Sequence, residues 1–145
     1  MKSKRLSLDV GPGPSPARGT THAVDVSNDF VELLGNTRRR EWGDKAFKRI
    51  RYRLADAEKG LPYRDDLFDR VTCNNVLGSY VDSHKAIPHM YKVLKHGGHV
   101  SFLVYGAALA EDIVRSMRST GFVGVHKRSS DKYEDDDYVI TGTKK

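Results

Sequence analysis

Leu6-Ser7-Leu8-Asp9-Val10-Gly11-Pro12-Gly13-Pro14-Ser15-Pro16 is the stretch on which the reading of this chain turns. Its first half reads as a short buried strand interrupted by one acid, Asp9. Its second half is a dense turn signal. Gly11 and Gly13 lack a Cβ, so the backbone at the strand's carboxyl end can pass close to a ligand. In an open α/β sheet, ligands sit there, where the strand order switches.

Outward from that turn, His22-Ala23-Val24-Asp25-Val26 forms a second short strand with an acid near its end. At most one helical turn fits between the two strands, so the first helix is expected to be nearly absent. An acid at the end of the second strand can accept hydrogen bonds from both hydroxyls of a ribose. Asp9, Gly11, Gly13 and Asp25 together therefore describe a nucleoside site. A dinucleotide would need its pyrophosphate held at a helix N-terminus directly after the glycines. Pro12, Pro14, Pro16 and Gly19 are poorly suited to that, which favours an adenosine without phosphate, as in S-adenosylmethionine.

The remaining chain alternates strands and helices. Phe30, Leu33 and Leu34 share a helical face after a cap at Ser27 or Asn28, and a second helical stretch runs from Thr37 to Ile50. Strands follow at Arg51 to Ala55 and Phe68 to Cys73. Ile87, Met90, Tyr91 and Leu94 fall at i, i+3, i+4 and i+7, the spacing of an amphipathic helix, and Gly97-Gly98 is expected to stop it. A strand from His99 to Tyr105, a helix marked by Leu109, Ile113 and Met117, and two strands at Phe122 to Lys127 and Tyr133 to Thr143 complete the chain. Glu134-Asp135-Asp136-Asp137 reads as a charged hairpin turn. This order predicts a mostly parallel sheet closed by an antiparallel edge hairpin.

With 145 residues, 38% of them apolar and 30% charged, the chain fits one globular domain, residues 1–145, with 1–5 as a short lead. No apolar run approaches the roughly 20 residues of a membrane helix. A single cysteine, Cys73, excludes an internal disulfide and suggests a cytoplasmic protein. The net charge of +6 is carried by one segment, Asn36 to Arg53, which holds eight Lys/Arg against two acids. Arg38, Lys45, Lys48 and Arg49 gather on one side of the expected helix, either as a phosphate-binding patch for a nucleic acid or as a solvated helix face.

The chain resembles the class I S-adenosylmethionine-dependent methyltransferases. The resemblance rests on Leu8-Asp9-Val10-Gly11-Pro12-Gly13, Ala23-Val24-Asp25-Val26-Ser27, Ala55-Asp56-Ala57-Glu58 with Leu61-Pro62-Tyr63, Phe68-Asp69-Arg70-Val71 and Val93-Leu94-Lys95-His96-Gly97-Gly98. It implies a Rossmann-like three-layer sandwich around a seven-stranded sheet of order 3-2-1-4-5-7-6, with strand 7 antiparallel. It further implies that Gly11, Pro12 and Gly13 pass beneath the cofactor and that Asp9 faces its methionine amino group. Asp25 would hold the ribose, Val26 would pack on the adenine, and Asp56 and Ala57 would bind the adenine amino edge. Asn74 and Asn75 would lie beside the methionyl end and the acceptor, or would simply leave the strand and cap a turn. Ser15 stands where the family usually has a third glycine, and the helices that usually cover the substrate are missing from the short lead.

Methyl transfer from a sulfonium is an in-line displacement, and alignment of the reacting atoms can be worth roughly 7–11 kcal/mol. A base is needed only for an acceptor that carries a proton. Asn75 and Tyr80 are the candidates to face the acceptor, whose identity the sequence leaves open. No metal site is expected, and His84, His89, His96 and His99 read as surface or turn residues without metal spacing. Either a partner subunit or a second copy covers the acceptor side or nothing does, and the alternative reading is a non-catalytic cofactor-binding or scaffold subunit that needs a partner.

Overall fold

A computed structural model describes residues 4–12, 16–27, 50–74, 76–130 and 136–145. Its seven strands are β1 (Ser7–Val10), β2 (His22–Asp25), β3 (Arg51–Leu54), β4 (Phe68–Asn74), β5 (Leu94–Tyr105), β6 (Val123–Ser129) and β7 (Asp137–Thr143). Two described helices are α1 (Ser83–Val93) and α2 (Ala107–Thr120). The sheet order is β3-β2-β1-β4-β5-β7-β6. β1 to β5 run parallel, whereas β7 is antiparallel to both β5 and β6. The order, the parallel body and the reversed seventh strand are those expected from the sequence. The helical stretches read between residues 28 and 49 lie outside the described residues, as do Gly13 and Asn75.

β1 lies centrally because its residues are buried along their whole length, as a parallel strand covered on both faces requires. Leu8 pairs with His22 on one side and with Val71 on the other. Between β1 and β2 the described residues form a turn, with Gly19 at φ +81° and the Thr20 N–H donating to the Ala17 carbonyl at 3.3 Å. No helix occurs among them.

The two helices pack on each other and against β5 to β7. Ala86, Ile87 and Met90 of α1 and Ala110, Ile113 and Met117 of α2 are fully buried, joining Val71, Val100, Phe102 and Ile140 of the sheet. Asp82 caps α1 by accepting from the His84 N–H at 2.9 Å. The helix then ends at Val93 rather than at Gly97-Gly98. Leu94 is already extended and pairs with Phe68 of β4. The glycines lie inside β5, at the register shift opposite Phe68 and Arg70. A Cβ on Gly98 would come within 2.9 Å of the Lys95 carbonyl oxygen and 3.0 Å of that of Asp69. Glycine is thus needed there for close backbone approach, a role that sequence spacing cannot separate from helix termination.

Candidate functional site

The carboxyl ends of β1, β2 and β3 open on a cleft of about 350 Å³, within the size range of small-ligand sites. Hydrogen bonds between the strand ends set its walls. The Gly11 N–H donates to the Val24 carbonyl at 2.8 Å, and the Ala55 N–H donates to the Asp25 carbonyl at 3.0 Å. These contacts bring the chain leaving each strand to the same hollow. Val10 and Gly11 come from β1 and its turn, Asp25 and Val26 from the end of β2, and Ala55 to Glu58 from the turn after β3. Val76, Tyr80 and Val81 close the opposite side.

Two of the three acids that line the cleft, Asp25 and Asp56, also organise their own turns. Asp25 Oδ1 accepts the N–H of Val26 at 2.8 Å and that of Ser27 at 3.3 Å. Asp56 Oδ1 accepts the Glu58 N–H at 3.0 Å, while its carbonyl accepts from Lys59 and Gly60. Such Asx turns fix the carboxylates where the strands end. Val26 is 65% exposed, leaving its apolar surface bare at the cleft.

Gly11 forms the floor. It has φ +64°, and a Cβ there would stand 3.0 and 3.1 Å from the Val76 methyls. Two residues before it, within β1, Asp9 is only 1% exposed. Asp9 Oδ2 accepts the Ala17 N–H at 2.7 Å, and Oδ1 has no hydrogen-bond partner among the described residues. Burial pushes this carboxyl up to about 6, against the opposing pull of the Ala17 N–H, Thr72 and Arg70. A buried acid with one unsatisfied oxygen is costly unless a donor reaches it.

The structure thus assembles Gly11, Asp25, Val26, Asp56, Ala57 and Tyr80 around one cleft, while Asp9, buried within β1 two residues before Gly11, does not line it. Pro12 adjoins Gly11 but does not line the cleft, and Asn74 is an exposed residue at the end of β4, also outside the lining. Glu58, Val76 and Val81 line it without having been singled out from the sequence. Three consecutive N–H groups, those of Ser79, Tyr80 and Val81, reach the Val76 carbonyl at 3.0 to 3.3 Å. This tight turn carries the connection after β4 to the cleft. Among the described residues no helix is long and apolar enough to cross a membrane, and no group of acids, histidines or cysteines is placed to hold a metal ion.

The arrangement fits an adenosine-bearing ligand with a cationic amino end: two turn-fixed carboxylates, a floor that a Cβ would fill, and an unsatisfied buried acid. Comparison with known proteins agrees in family. Residues 8–102 match the family described as a methyltransferase domain. A ubiquinone/menaquinone biosynthesis C-methyltransferase of Psychromonas ingrahamii is 32% identical over 117 residues, covering 76% of this chain and 45% of its own length. The chain therefore spans less than half of that relative. Phosphoethanolamine N-methyltransferase 2 of Haemonchus contortus, solved with S-adenosyl-L-methionine, superposes with a TM-score of 0.74 at 19% identity, covering 99% of this chain and 49% of that one. An S-adenosylmethionine-dependent O-methyltransferase of Thermotoga maritima gives 0.77 at 16% identity, covering 99% and 60%.

Proposed function

The chain belongs to the methyltransferase-domain family of class I S-adenosylmethionine-dependent enzymes, and from that membership we propose that its cleft binds S-adenosylmethionine for methyl transfer to a nucleophilic acceptor. The observation that carries this reading is the convergence of Asp25, Asp56 and Gly11 at the carboxyl ends of three adjacent parallel strands. In this reading Asp25 accepts from the ribose hydroxyls, while Asp56 and the backbone at Ala57 meet the adenine amino edge. Val26 and Val81 cover the base from the two sides of the cleft. Asp9 balances the amino group of the methionyl end through its unsatisfied oxygen. Bound there, the cofactor supplies a methyl group on a sulfonium, already activated for displacement. What the protein adds is alignment and exclusion of water.

The three relatives described above act on carbon, nitrogen and oxygen. The shared fold accordingly speaks for the methyl donor, and the acceptor must be argued from this chain's own residues. Isothermal calorimetry tests the donor. S-adenosylmethionine and its demethylated product are expected to bind, with Asp25→Ala weakening both by about tenfold to a hundredfold, as loss of charge-assisted hydrogen bonds requires. Binding of NAD in place of either ligand would overturn the reading.

A further inference from the structure

Tyr80 and Val81 also line a second hollow of about 470 Å³, beyond the cleft. Its other walls are Ser79 and Asp82 of the connection after β4, Ser83 and His84 at the start of α1, and Leu109 and Asp112 of α2. The strand order explains its place. The cleft lies at the ends of β3, β2 and β1, and the hollow lies next along the sheet, where the chain leaves β4 and β5. Tyr80 and Val81 form the boundary that the cleft of the proposed nucleoside shares with this hollow.

Across the two helices, His84 Nε2 stands 3.0 Å from Asp112 Oδ2. A carboxylate only accepts, so the neutral imidazole carries its proton on Nε2 and keeps the Nδ1 lone pair as acceptor. The charged groups around this ring are mostly acidic on the side of the hollow. Asp82, which lines the hollow, accepts the backbone N–H of His84 at 2.9 Å, and Asp112 pairs with the ring. Arg115 lies 3.6 Å from the other Asp112 oxygen, outside the hollow's lining. Lys85, the next residue on α1, is turned to Glu58 at 3.9 Å. Tyr80, 84% exposed, adds an aromatic face. Two carboxylates, two serine hydroxyls and an open ring suit a cationic amine and repel an anion.

We propose that this hollow seats the methyl acceptor, that the acceptor carries an amine, and that His84, held by Asp112, is the base that readies it. An ammonium has no lone pair to give. It passes one proton to His84 Nδ1, and the N–H bond's electron pair stays on nitrogen as the nucleophile. The imidazolium that forms is balanced by Asp112 and later returns its proton to solvent. This inference rests on the assignment of the cleft to S-adenosylmethionine.

The test uses protein loaded with the demethylated cofactor product and three probes of one shape: phenethylamine, 2-phenylethanol and phenylacetate. Calorimetry should find phenethylamine bound most tightly and phenylacetate not bound. Its addition should shift the His84 ring resonances, assigned by their loss in His84→Gln. Asp112→Asn should weaken phenethylamine by about tenfold with affinity for the cofactor product unchanged. Equal binding of the three probes, or unmoved His84 resonances, overturns the amine hollow while leaving the cleft assignment intact. Failure of the cofactor product itself to bind overturns the cleft assignment and this inference with it.

Discussion

Asp9 combines, in one side chain, a cost to the folded protein and, in the proposed function, a use for it. Burial lifts its carboxyl from the ordinary 3.8 to about 6, so the native state holds this proton more strongly than the unfolded chain does. Stability from this group is then greatest below about pH 4 and is lost as pH rises through 6, by roughly 3 kcal/mol in all. Asp9→Asn keeps an oxygen for the Ala17 N–H and removes the titration. Urea denaturation should show the variant more stable than wild type at pH 8 by about 1–3 kcal/mol, with a flatter profile between pH 4 and 6. The same variant should bind S-adenosylmethionine more weakly, because an amide cannot balance an ammonium. A wild-type profile retained in Asp9→Asn would show that another group carries the pH dependence. Gly11, Asp25 and Asp56, which line the cleft, were legible in the sequence because each stands at or just past a strand's carboxyl end, where an acid or glycine in place of a core residue is conspicuous. Glu58, Val76 and Val81 were not. Their residue types suit a packed turn equally well, and only folding brings 76–81 against 10–11. His84 read as a surface or turn residue, and its pairing with Asp112, 28 residues away on another helix, is likewise visible only in the fold.

At the scale of elements, the first turn and the connection after β4 are built against each other. Gly11 has a left-handed backbone, and its missing side chain makes room for the Val76 methyls. Gly11→Ala therefore incurs both a conformational cost and a clash, together about 1–3 kcal/mol. Adding Val76→Ala relieves the clash but not the backbone strain, so the double variant should recover only part of the loss. Thermal denaturation of the two single variants and the double one measures that coupling. Full additivity would mean that the two turns do not meet as described. Alternating strand and helix patterns made the element order readable, and the last two strands announced the reversed hairpin. The exception is the start of β5. Gly97-Gly98 looks like a helix stop in sequence, yet it lies within the strand because Gly98 must approach the Lys95 and Asp69 carbonyls. A glycine pair reports the need for backbone freedom without saying which contact requires it.

Across the whole molecule, the two ends of the sheet have separate tasks. The cleft lies at the carboxyl ends of the parallel strands, whereas Lys144, just past β7, ties down the other end. Only 7% exposed, Lys144 sends its ammonium to Asp66 Oδ1 at 2.8 Å and to the Tyr91 carbonyl at 3.1 Å, over the Tyr91 ring. The Lys144 backbone also pairs with Gly97 and Gly98. Lys144→Met keeps much of the stem's packing but strips both hydrogen bonds from their acceptors, so Tm should fall by a few degrees. Asp25→Asn, at the opposite end, keeps an acceptor for the Val26 turn and removes the charge that faces the ligand. The demethylated cofactor product at a hundred times its Kd adds roughly 2.7 kcal/mol to a protein that binds it only when folded. That ligand-induced rise in Tm should be preserved in Lys144→Met and cut by about half or more in Asp25→Asn, as a tenfold or greater loss of affinity requires. The separation follows from the topology: parallel strands place every ligand-facing turn at one end, leaving the other free to be fastened by long-range polar contacts. If Lys144→Met also abolished the ligand-induced rise, the two ends would be coupled through the sheet, and stability and binding could not be assigned to opposite edges of this fold.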